Sequence, residues 1–173
     1  MSERHFEGST NVTEHAAKGM ITLRGDLESA VLQKAVRSAL EVTCPERGQY
    51  TQNGAFSMAW MSPDEALILT PHAEADAALA KLAKALDGSH HLLANVSDAR
   101  AFFQLEGPQV LNVLAKLTPV DLRANHFKTG QVRRTHVSQV AAAFWMSETD
   151  TIDLICFRSV ADYMWDLLSN AAR

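Results

Sequence analysis

Side chains able to do chemistry are few and scattered in this 173-residue sequence. Of the seven histidines (His5, His15, His72, His90, His91, His126, His136), only His90 and His91 are adjacent. Neighbours on a strand point to opposite faces, so that pair is ill placed to share a metal ion. Cys44 and Cys156 have no Cys or His at zinc-site spacing and read as ordinary thiols. Asp150 and Asp153 bracket the start of an apolar run, and Asp162 and Asp166 stand one helical turn apart. Buried together, such carboxylates could transfer protons; in the open they are turn and helix-face polarity. No Walker A, G-x-G-x-x-G, G-x-S-x-G or H-E-x-x-H pattern occurs. The sequence therefore predicts no catalytic residue and no metal site in this chain.

The elements that would position these residues come from periodicity. Met20 to Leu23 and His91 to Val96 read as strands. Asp26 is a candidate cap for a helix to about Leu40, and a second helix runs from about Ala73 to Asp87. Phe56–Met61 and Ala66–Thr70 bracket Ser62-Pro63-Asp64-Glu65 as a hairpin. Strands follow at Ala101–Leu105, Val132–Val137, Val140–Met146 and Thr151–Phe157. Helices are expected at Gly107–Leu117 and from Ser159 to about Ala172. Residues 1–18 are polar, lack periodicity and read as a tail.

The order of elements repeats. Leu23-Arg24-Gly25 matches Leu105-Glu106-Gly107 at an offset of 82, and Val31-Leu32 matches Val113-Leu114 at the same offset. Trp60-Met61-Ser62 matches Trp145-Met146-Ser147 at 85; Leu79 and Leu82 match Trp165 and Leu168 at 86. The reading is α+β: two fused ferredoxin-like βαββα(β) units, about 19–97 and 99–173, in one globular domain.

Composition narrows the partners. Lys+Arg 16 against Asp+Glu 20 gives −4, and Arg133-Arg134 is the longest basic run, which argues against a grip on nucleic acid. The longest apolar stretch, Val140–Met146, is far short of the roughly 20 residues a membrane helix needs. No apolar leader follows the N-terminus, so the expected location is cytoplasmic, where the sequons at Asn11 and Asn95 would be idle.

The stretches Asn95-Val96-Ser97-Asp98-Ala99-Arg100, Leu105-Glu106-Gly107-Pro108, Pro119-Val120-Asp121-Leu122 and Phe157-Arg158-Ser159, with Trp165-Asp166-Leu167-Leu168, resemble the γ subunit of heterotetrameric sarcosine oxidase. The likeness runs from about Gly19 to the end, with Asn95 where the family often has Asp. It implies a fold like the folate-binding domain of the glycine-cleavage aminomethyltransferase. It also implies a non-catalytic structural subunit in a complex that oxidatively demethylates sarcosine to glycine. The partners would be alpha, beta and delta subunits, which hold FAD, FMN, NAD and tetrahydrofolate, while this chain binds no cofactor itself. The alternative is a folate-binding module or aminomethyltransferase-like one-carbon protein, for which Arg100 and Asp121 are the candidate residues. A small-molecule regulatory module ranks behind both, carried by fold analogy alone.

Overall fold

The computed structural model describes residues 3–173. They form two compact α+β units, residues 18–97 and residues 3–17 with 98–173, each ferredoxin-like.

In the first unit, β3 (Gly19–Arg24), β4 (Tyr50–Asn53), β5 (Phe56–Ser62), β6 (Glu65–Thr70) and β7 (Leu92–Asn95) make an antiparallel sheet in the order β4-β5-β6-β3-β7. The helices α1 (Ala30–Leu40) and α2 (Ala75–Ala85) cover one face. Leu32, Ala35, Val36 and Leu40 recur at helical spacing, and that stripe is what α1 buries. It meets Ile21, Leu23, Met58 and Ile68 from the sheet and Ala78 and Leu82 from α2. Asp26, the expected cap, lies before the helix; it accepts the backbone N–H of Glu28 at 3.1 Å, and α1 begins only after Ser29.

In the second unit, β8 (Arg100–Glu106), β9 (Val132–Val137), β10 (Val140–Glu148) and β11 (Thr151–Phe157) follow the same plan, with α3 (Val110–Ala115) and α4 (Ala161–Ala171). With two strands from the start of the chain, β1 (Arg4–Phe6) and β2 (Asn11–His15), its sheet order is β1-β2-β8-β11-β10-β9. Phe103, Leu105, Phe144 and Leu154 pack against Val113, Leu114, Met164 and Leu168, and Phe127 meets Phe144 edge-on at 5.6 Å.

Two sequence expectations change. Residues 4–15 are not a tail: β1 (Arg4–Phe6) and β2 (Asn11–His15) are strands, and β2 pairs with β8 from Asn11↔Glu106 to His15↔Phe102. It takes the place beside β8 that β7 takes beside β3. The only large apolar residue in β2 is Val12, fully buried, so periodicity has almost nothing to register. Between the strands the chain passes so close to the last helix that a Cβ on Gly8 would collide with the Ala172 carbonyl; Ser9 N–H donates to that oxygen at 2.7 Å.

The second change is the repeat register. Leu23 and Leu105 are equivalent, at 82, each opposite the corresponding strand (Ala66 and Ile152). The hairpins, however, align at 86: the bulge between Trp60 and Ser62 corresponds to that between Met146 and Glu148. Trp60 therefore matches Met146, and the Trp60–Trp145 pairing at 85 is one residue out. A one-residue slip moves every side chain to the other face. The core residues obey the even offset, Met58 with Phe144 and Ile68 with Leu154.

Phe103→Ala removes a fully buried ring from the centre of the second core and is expected to cost about 3–5 kcal/mol in urea unfolding; a loss below about 1 kcal/mol would contradict the packing described.

Candidate functional site

The densest arrangement of charge is built around Glu14, on β2. Its side chain is only 3% exposed. Arg4 Nε donates to Glu14 Oε2 at 2.6 Å, and Arg158 Nη1 donates to Oε1 at 3.2 Å. Arg158 Nη2 also donates to the Arg100 carbonyl at 2.5 Å. Arg4 reaches further, pairing with Asp162 at 2.9 Å and lying over the Trp165 ring, 5.0 Å from its centre. Five elements contribute: β1, β2, the 3-10 turn Arg158–Val160 that follows β11, the start of β8, and α4. Both oxygens of the carboxylate are occupied by guanidinium donors, which suits an electrostatic brace and leaves it poorly placed to take a substrate proton.

The expected pairs of carboxylates go separate ways. Asp162 is exposed and engaged with Arg4. Asp150 sits in the β10–β11 turn at φ 60, while Asp153 accepts from Gln104 Nε2 at 3.0 Å and Trp145 Nε1 at 3.2 Å. Among the described residues no three of His, Cys, Asp and Glu are grouped to hold a metal ion.

The two folate-type candidates are on different elements and have different contacts. Arg100 opens β8 with its guanidinium 5.3 Å from the Phe157 ring centre. Asp121 lies in the loop after α3, where Arg123 grips it through its backbone N–H at 3.1 Å, Nε at 2.9 Å and Nη2 at 2.5 Å. Those Arg123 hydrogen bonds hold the Asp121 carboxyl well below the usual carboxylate range.

The Asn95-to-Ser97 stretch is a stitch. Asn95 Oδ1 accepts from Ser97 N at 3.1 Å and from Ser97 Oγ at 2.6 Å, and Ser97 Oγ accepts from Met20 N at 2.9 Å. Asn95 Nδ2 donates to Asp76 at 2.7 Å, which explains why Asn suits this chain: an Asp here would set two carboxylates against each other.

Burial governs both cysteines. It pushes each thiol up to about 11, opposed at Cys44 by Arg37. At Cys156 the opposing groups are Arg158 and Arg100, while Glu14 adds to the rise.

A model of the sarcosine oxidase gamma subunit family matches residues 24–173. The chain belongs to the sarcosine oxidase gamma subunit family. Among solved structures it is similar to a chain of heterotetrameric sarcosine oxidase from Corynebacterium sp. U-96, in complex with pyrrole 2-carboxylate. That likeness has a TM-score of 0.87 and 23% identity, over 97% of this chain and 87% of that one. The glycine cleavage system aminomethyltransferase T from Bartonella henselae shares the fold at TM-score 0.65 and 18% identity, over 87% of this chain. This chain spans only 43% of that protein. The regulatory subunit of aspartate kinase from Thermus thermophilus, in its ligand-free form, is a more distant neighbour at TM-score 0.53 and 15% identity, covering 98% and 99% of the two chains. No curated protein matches the sequence.

The family segments Asn95–Arg100 and Phe157–Ser159 thus belong to the stitch and the brace. Glu14 and Arg4 escape sequence reasoning because Arg158 and Asp162, which complete the cluster, lie far along the chain; the faint signal is polar alternation around a lone Val12.

Glu14→Gln keeps the shape but leaves two guanidinium groups facing a neutral amide. It is expected to cost about 2–3 kcal/mol, read from urea unfolding; an unchanged midpoint would refute the brace. For the thiols, a folded pKa above the unfolded value means that their stabilising burial is complete below about pH 8.5 and is lost as pH rises towards 11. At pH 8 both should alkylate with iodoacetamide roughly 100-fold more slowly than in the urea-unfolded chain. Equal rates would refute this.

Proposed function

We propose that this chain is the non-catalytic gamma subunit of a heterotetrameric sarcosine oxidase, serving to hold together partner subunits that oxidatively demethylate sarcosine to glycine. The observation that carries the reading is the family match across residues 24–173 on a fold that extends over nearly the whole chain. The charged groups agree with it, since Glu14 is spent on a brace and Asp121 on its neighbour Arg123. The flavins, NAD and tetrahydrofolate of such an enzyme belong, in this reading, to the alpha, beta and delta subunits. Among the described residues four large apolar side chains stay exposed, Val31, Leu92, Phe157 and Tyr163; aromatic residues of this kind are enriched where subunits meet. No helix among the described residues is long and apolar enough to cross a membrane, and we place the chain in the cytoplasm with its complex.

The fold shared with the aminomethyltransferase supports a second reading, a folate-binding module using Arg100 and Asp121. It is the weaker one, because the Asp121 carboxylate is already taken by a guanidinium fork.

Two measurements separate them. Co-expressed with the larger subunits, the chain should co-elute with a yellow, flavin-containing assembly in size-exclusion chromatography, and a lone monomer in every fraction would overturn the subunit reading. Tetrahydrofolate titrated into the isolated chain should give no saturable heat; saturable binding abolished by Arg100→Ala would favour the folate module.

A further inference from the structure

In the unit of residues 18–97, α1 and the loop after it border a groove that nothing above uses. It consists of two adjoining hollows, about 300 and 320 Å³, that meet at Gln33 and Cys44. The first is lined by Lys34, Arg37 and Thr43 and contains no carboxylate. The second has an apolar wall of Leu27, Pro45, Trp60 and Pro63, with Arg47, Glu28 and Glu46 on its lining.

The cations of the first hollow are unanswered, whereas Arg47 shares the second with Glu28 and Glu46. Arg4, Arg24, Arg123 and Arg158 each pair with a carboxylate. Lys34, Arg37 and Arg47 have no such partner among the described residues, and Arg37 is steadied only by donating to Thr43 Oγ1 at 3.3 Å. In a chain of net charge −4, that leaves a local cationic site beside an apolar shelf. One turn away on α1, Val31 is 60% exposed.

Such a site attracts a carboxylate next to an apolar group. A small ligand is held when a pocket buries most of its surface, and here Ala30, Gln33, Lys34, Arg37 and Thr43 are themselves exposed. An extended peptide suits two open hollows in a row better, one side chain to each. We propose that this groove seats an acidic segment of a partner subunit, with a carboxylate on Lys34 and Arg37 and a neighbouring apolar side chain against Trp60 and Pro45. The inference rests on the reading of the chain as a subunit, and it adds which face is used and the chemistry of what it receives.

The test uses the full chain with its flavin-bearing partner subunits. The double reversal Lys34→Glu/Arg37→Glu should weaken their association at least about tenfold and flatten its salt dependence. The matching reversal on α2, Lys81→Glu/Lys84→Glu, should stay within about twofold. In the unaltered protein, acylation of Lys34 by an N-hydroxysuccinimide ester, measured against Lys84, should slow several-fold on assembly, a result that does not depend on any variant folding. If the wild-type chain assembles while the reversal keeps its affinity and Lys34 acylates as fast as before, the groove assignment falls and the subunit reading stands. If the wild-type chain does not assemble, both fall. Protection of Lys34 that grows with the concentration of the isolated chain would assign the groove to a second copy and overturn the proposal.

Discussion

A carboxylate withdrawn from water costs several kcal/mol unless charge and hydrogen bonds answer it. Glu14 is withdrawn almost completely, and its two guanidinium partners come from near opposite ends of the chain: Arg4 ten residues before it and Arg158 144 residues after it. The placement of β2 beside β8 depends on this arrangement, because β2 brings one apolar side chain to the core and otherwise polar groups. Ladder hydrogen bonds alone would not choose this strand over any other; the buried charge does. Arg158, which closes on Glu14, also holds the Arg100 carbonyl, so the brace links the start of β8 to the turn that follows β11 as well.

The two units then solve one problem in two ways. Each is a four-stranded βαβββα scaffold, β3-α1-β4-β5-β6-α2 or β8-α3-β9-β10-β11-α4, whose first strand needs a neighbour on its far side. One unit finds that neighbour in its own last strand, β7, and locks it with Asn95 and Ser97. In the other, that place beside β8 is taken by β2, a strand that precedes the first unit in the chain. The repeat offset moves from 82 to 86 because the β9–β10 hairpin is two residues longer on each arm than β4–β5. An even change keeps every core side chain on its face, which the pleat demands. The Trp-Met-Ser identity at 85 is a resemblance of letters, with Trp60 on the core face of one sheet and Trp145 on the opposite face of the other.

These details bear on function through what is left over. Two segments that carry the family likeness work as stitch and brace, with Asn95, Ser97 and Arg158 committed within the chain. What stays uncommitted lies elsewhere, on exposed aromatic and aliphatic side chains and on the unpaired cations beside α1. A protein whose buried carboxylate is fully answered and whose outer helix face carries unanswered cations is suited to meeting another chain.

Much of the architecture was legible in the sequence. The alternation in β5, the apolar runs of β6, β10 and β11 and the stripe on α1 rest on neighbouring residues, and their repeated order named an α+β duplication. Of the family segments, only the Asn95–Ser97 contact joins near neighbours; Ser97 to Met20 and Arg158 to Glu14 join positions far apart. Other features had to wait for the fold. Residues 4–15 as strands, Glu14 as the buried charge, Asp121 as the captive of Arg123 and the groove between Lys34 and Trp60 all depend on geometry that residue type and spacing do not carry. Periodicity records only which face a residue takes within its own element; whether a polar residue is a tail or a brace depends on which distant charge the tertiary structure brings against it.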